Sequence, residues 1–132
     1  EMKVKEIIAR HNALIKGVID QVYPPKLNYI LSRNMKKMEE EIKNYEEERK
    51  KICERLAKKD KNGRPVIKEG KYDLTKENER ILSDEVNELL EMDVEINIQS
   101  VEIEPILEQC DAVERYHVPT ARELLELDFM IR

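Results

Sequence analysis

Apolar residues recur over 25–59 at alternating steps of four and three: Leu31, Met35, Met38, Ile42, Tyr45, Ile52 and Leu56. Arg49 alone stands where another apolar residue is due, and nearly every intervening position is Lys, Arg, Glu or Asn. That spacing predicts one long helix with a narrow apolar seam, a surface that has to be laid against something else. Met35 and Met38 sit together on the seam, where they are expected to fill an internal helix contact in preference to offering an adaptable docking surface.

Upstream, Ile7, Ile8, His11, Leu14, Ile15, Val18, Ile19 and Val22 carry helical spacing over 3–22, with a stripe broad enough for burial on two sides. Tyr23-Pro24-Pro25 ends that helix, and Pro25 can open the next one, where a missing N–H costs nothing. After the long helix, the run from Asp60 through Asn62-Gly63 to Pro65 is a stop signal. Residues 66–74 then read as a small hairpin or flap. Thr75 is an N-cap for a helix over 75–92, in which Leu82, Val86 and Leu89 keep 4-3 spacing.

The period changes at 94–103. Val94, Ile96 and Ile98 alternate with polar residues, the phase slips near Gln99-Ser100, and Val101 and Ile103 alternate again. The pattern predicts a half-buried strand with a bulge, closed by Pro105, whose partner is the 66–74 flap or the extended start at 3–5. A less patterned stretch follows to Val118. Thr120-Ala121-Arg122-Glu123 has the form of a capping box and opens a last short helix over 120–130, with an apolar tail that must be buried.

These elements predict a single, mainly α domain with a minor β component. The 25–59 helix forms a long antiparallel hairpin with the 75–92 helix, and the 3–22 helix fills the other flank. Because the 75–92 helix is about half as long as its partner, half of the seam needs cover from the first helix, the C-terminal tail or another copy. A homodimer through the seam is one arrangement this allows, and the seven seam residues are the candidate interaction surface.

Composition narrows the function more than it defines it. The chain is 132 residues with 40% charged residues and a formal net charge of −5. A charged share that high suits long exposed helices, and the acidic balance gives no reason to expect direct nucleic-acid binding. The basic runs at Arg49-Lys50-Lys51 and Lys58-Lys59 are offset by acidic neighbours and read as solvated faces. Cys53 and Cys110 have no metal or redox spacing and are expected to be free thiols. No apolar stretch is long enough for a membrane span, and a cytoplasmic protein is expected.

Candidate chemistry is sparse. Glu114 and His117 match a Glu-x-x-His pattern, but di-metal bundles need a second such pair, and a chance match in a loop before Pro119 is the better reading. His11 lies on the apolar stripe and reads as a hydrogen-bonded core histidine. Neither cysteine has an activating base in view. Three glycines, no tryptophan and one phenylalanine leave no phosphate cradle and little base-stacking surface. No catalytic residue, metal or cofactor is therefore expected.

One resemblance adds an origin. The stretch from Lys26-Leu27 through Glu39-Glu40-Glu41 and Glu46-Glu47-Glu48-Arg49 leads into Lys58-Lys59-Asp60-Lys61-Asn62-Gly63-Arg64-Pro65. Tyr72-Asp73-Leu74, Glu88-Leu89-Leu90 and Val94-Glu95-Ile96 follow. Over about residues 20–107 this order resembles a family of small uncharacterised proteins of tailed bacteriophages and prophages. The resemblance implies a phage or prophage origin, with no enzymatic activity attached. The leading expectation is a non-catalytic protein acting through protein–protein contacts, structural or accessory. The alternative is an inhibitor of a host defence or nucleic-acid enzyme that uses an acidic surface, for which the Glu-rich 95–108 segment is the best local candidate.

Overall fold

A computed structural model describes all 132 residues. In chain order the elements are β1 (Met2–Lys3), α1 (Val4–Gly17), α2 (Pro25–Leu56), β2 (Ile67–Lys68), β3 (Lys71–Tyr72), α3 (Lys76–Glu91), β4 (Asp93–Val94), α4 (Ile103–Ala112) and α5 (Ala121–Glu126). The chain is mainly α, with two small antiparallel ribbons, β1 with β4 and β2 with β3.

The long helix is continuous for 32 residues, about 48 Å at the usual α-helical rise. Pro25 opens it at the first helical position, as its missing N–H allows. Two short helices lie along it, both antiparallel to it and nearly end to end. The α3 helix covers the C-terminal half. Asn78 Nδ2 donates to the Leu56 carbonyl at 2.8 Å, Arg55 pairs with Glu85, and Leu89 and Met92 reach Tyr45. The α1 helix takes over from there, with Val4 beside Tyr45 and His11 Nε2 3.3 Å from Glu39 Oε1. At 16 and 14 residues, the two span together about 45 Å, close to the length of the helix they cover. The first helix therefore does not fill the opposite flank. It continues the line that α3 begins.

The joint between them is sewn by backbone. Met2 pairs with Val94 and Lys3 with Asp93, and the Val4 N–H donates to the Met92 carbonyl at 3.0 Å. Lys3 and Lys5 both reach the Glu91 carboxylate, and Lys5 chiefly holds it below its usual range. A gap of about 120 Å³ remains at the joint, lined by Val4, Tyr45, Leu89, Met92 and Val94 among others.

Along the seam, Leu31, Met35, Met38 and Leu56 are buried, while Ile42, Tyr45 and Ile52 are half-buried. Leu31, Met35 and Met38 pack with Ile7, Leu14 and Val18 of α1, and with Val101, Ile106, Leu127 and Met130. The core is thus concentrated around the N-terminal half of α2. The first helix ends at Gly17, five residues short of the span expected, and Val18 to Gln21 continue as turns. The apolar C-terminal tail packs on the body of the same chain, where Leu127 and Met130 are fully buried.

The 94–103 strand requires correction. Only Asp93–Val94 pairs as a strand, and the expected partner at the chain start provides it. Beyond it Ile96 and Ile98 pack on the core, but the chain makes a tight turn, with Ile98 N–H donating to Ile96 C=O at 3.1 Å, and runs across α2 instead of beside another strand. Asn34, fully buried, supplies the missing ladder: its Oδ1 accepts from Gln99 N–H and its Nδ2 donates to Gln99 C=O, both at 2.9 Å. Val101 then forms one parallel bridge with Ile131. Ile103, expected in the strand, instead opens α4, where Ile106 and Cys110 are buried. Pro105 lies in the first turn of that helix, where a missing N–H is harmless. The flap forms as a hairpin around Glu69 and Gly70, both at positive φ, and Tyr72 Oη docks it on Glu54. The last helix is also shorter than 120–130 and turns at Leu127.

Candidate functional site

Polar side chains are buried together at one place, where the α1–α2 connection, the α4–α5 connection and α5 meet. Its centre is Glu123, 5% exposed. The expected capping box is present: Glu123 N–H donates to Thr120 Oγ1 at 3.2 Å and Thr120 N–H donates to Glu123 Oε2 at 2.8 Å. The same carboxylate accepts from Tyr23 Oη at 2.9 Å and lies 2.8 and 2.9 Å from His117 Nε2. Burial pushes the carboxyl up, but the Thr120 N–H, His117 and Tyr23 outweigh it and bring Glu123 down to about 2. The Tyr23 hydroxyl moves the other way, raised by burial and by the carboxylate it serves.

A carboxylate with both oxygens occupied and its charge firmly held is a clasp, with no free lone pair aimed at a substrate. It fixes the surrounding chain. The His117 N–H donates to the Val22 carbonyl at 2.7 Å, and the Tyr23 and His117 rings lie 5.7 Å apart, tilted by 58°. The Cys110 thiol, 3.5 Å from the His117 carbonyl, is buried and raised by that burial and by Asp111, which makes it a poor nucleophile. Cys53 is likewise buried and free.

The clasp sets the two walls of a groove of about 690 Å³. One wall is Val22, Pro25 and Tyr29, the other is Tyr116, and Arg33 and Lys36 stand along the floor from the exposed face of α2. Val22 is 58% exposed and Tyr29 63%, so both are apolar surfaces left in water. The Arg33 guanidinium lies 5.7 Å from the centre of the Tyr29 ring, and that of Arg115 lies 4.8 Å from Tyr116. A second cleft of about 350 Å³, also bordered by Glu123, is lined by no apolar residue and includes Lys16, Gln21, Arg122 and Glu126.

Comparison with protein families, curated proteins and solved structures returns no match. Geometry and sequence carry the functional argument.

The residues singled out by sequence divide clearly. Of the seven seam positions, Leu31, Met35, Met38 and Ile42 pack in or on the core and Tyr45 borders the joint, and none of the seven lines the groove. His11 is half-buried at the edge of the core, not within it, and its Nε2 lies 3.3 Å from the exposed Glu39 carboxylate. Glu114 is exposed, and His117 bonds Glu123 in place of pairing with it. No three His, Cys, Asp or Glu side chains gather where they could hold a metal ion. No helix is long and apolar enough to cross a membrane. Tyr23, Glu123 and the groove residues Tyr29, Arg33 and Tyr116 were not legible as a unit, because Tyr23 and Glu123 lie 100 positions apart. The exposed Tyr29-x-x-x-Arg33 pair, off the seam, was the one local signal.

Proposed function

We propose that this is a non-catalytic phage or prophage protein that works through protein–protein contacts, in a structural or accessory role. The observation that carries the reading is the groove. Apolar and aromatic side chains lie open to water at a rigidly clasped end of the fold, while the seam is spent on internal packing. Exposed aromatics beside arginines on a fixed backbone are the composition of a binding hot spot. The phage origin rests on the resemblance over residues 20–107. The acidic-inhibitor alternative draws less support, since Glu on α2 alternates with Lys, as in the Lys50–Glu54 and Lys51–Glu48 pairs, and Glu102 is paired with Arg132.

The test is site-specific photo-crosslinking in infected or lysogenic host cells, with the crosslinker at Tyr29 and, as control, at the exposed Lys61. A defined protein captured from Tyr29 alone, whose purified form binds the purified chain, supports the reading. Equal capture from both positions, or turnover of a substrate by the purified protein, contradicts it.

A further inference from the structure

The groove also carries a charge pattern that specifies its occupant. None of the ion pairs of the molecule involves Arg33, Lys36 or Arg115. Elsewhere on α2, Lys50, Lys51 and Arg55 each hold a carboxylate, while Lys26, Lys43 and Arg49 do not. No Asp or Glu lines the groove, in a chain whose net charge is −5. Arg33 and Lys36, with Arg115 stacked on the groove residue Tyr116, are therefore unpaired beside the exposed Val22 and Tyr29.

The two guanidiniums are also preoriented. Arg33 Nη1 is 3.5 Å from Tyr29 Oη and Arg115 Nη2 is 3.3 Å from Tyr116 Oη, with each group laid over its ring. Stacking desolvates one face and leaves the edge N–H groups for a planar, bidentate acceptor. Val22 and Pro25 line the same groove as Arg33 and Lys36 and give it an apolar stretch.

We propose that the groove binds an acidic segment of a partner protein, in which carboxylates flank one large apolar side chain. The carboxylates meet Arg33, Lys36 and Arg115, and the apolar side chain enters between Val22 and Tyr29. The groove lining holds cations and no carboxylate in a chain of net charge −5, which favours docking of such a segment there. A nucleic acid fits less well. Three cations neutralise few phosphates, and one face of each tyrosine already carries a guanidinium. This inference rests on the docking reading above and narrows it.

The experiment uses the whole protein and three fluorescent probes. One is a peptide of alternating Glu and Asp around a central Phe-Leu pair, the second is the same peptide with Lys for every acid, and the third is oligo(dT) of equal length. Fluorescence polarisation at low salt is expected to show saturable binding of the acidic peptide alone. The affinity falls at least tenfold in R33E/K36E and falls in Y29A. It is unchanged in K50E/K51E, which alters the net charge equally. Arg33 and Lys36 are exposed, and unchanged circular dichroism and melting temperature confirm that the variant keeps its fold. No saturable binding, equal binding of the lysine peptide, tighter binding of oligo(dT), or an unaffected R33E/K36E overturns the proposal. So does self-association that R33E/K36E abolishes, which assigns the groove to a second copy. If a partner crosslinked at Tyr29 is neither displaced by the acidic peptide nor released by R33E/K36E, docking stands and the acidic ligand falls.

Discussion

Glu123 performs two tasks with one carboxylate: it closes the capping box of α5 and it holds Tyr23 and His117 in place. Since its folded value of about 2 lies below the ordinary carboxylate value, its contribution is fully present above about pH 4.5 and is lost as pH falls toward 2. Replacement by Gln removes the charge and its strong bonds, at a cost on the order of 2 kcal/mol after discounting for partial solvation. Urea unfolding at pH 7 should show that loss in E123Q. The variant's stability should also change less than that of the wild type between pH 5 and pH 2.5. Asn34 does comparable work at the other side of α2, since its amide gives Gln99 both backbone hydrogen bonds. In Asn34→Leu those groups are left unpaired, at about 1–3 kcal/mol, and the Gln99 amide should exchange with solvent much faster. Neither role was readable in sequence. The capping box was visible as Thr120-x-x-Glu123, but a residue's long-range second partner leaves no local pattern. An Asn one position before Met35 looks like any polar neighbour of a seam.

At the scale of elements, periodicity located helices well because helical spacing records which face is covered, whatever covers it. The same logic misled at 94–103. Alternation reports a chain with one buried side, which 94–98 has, but a strand also needs a backbone partner, and here the Asn34 side chain takes that place. The α4 helix was missed because Pro105 reads as a stop when it in fact lies in the first turn, so Ile103, Ile106 and Cys110 were not joined into one helical face. Cover along α2 is also uneven. Met38 is fully buried within the main core, whereas Ile52 is half-buried beyond the joint. Met38→Ala should cost about 2–5 kcal/mol and Ile52→Ala distinctly less, by denaturant titration. Amide exchange should follow the same gradient. Residues 27–38 should exchange only with global unfolding, and residues 43–51, beside the α1–α3 joint, through smaller openings.

For the whole molecule, the central question is how a helix about 48 Å long is covered by partners half its length. Sequence posed that question through the mismatch between the 25–59 and 75–92 helices and left a second copy among the answers. The structure answers it with two helices in line, joined by the β1–β4 ribbon and the Lys3, Lys5 and Glu91 contacts. With the seam largely covered within one chain, the groove is the surface proposed for a partner. Light scattering coupled to size exclusion over a wide range of concentrations tests this directly. A constant mass of 15.7 kDa is predicted. A mass of twice that value, reverting to the monomer when Tyr45 or Ile52 is replaced by Glu, would contradict it.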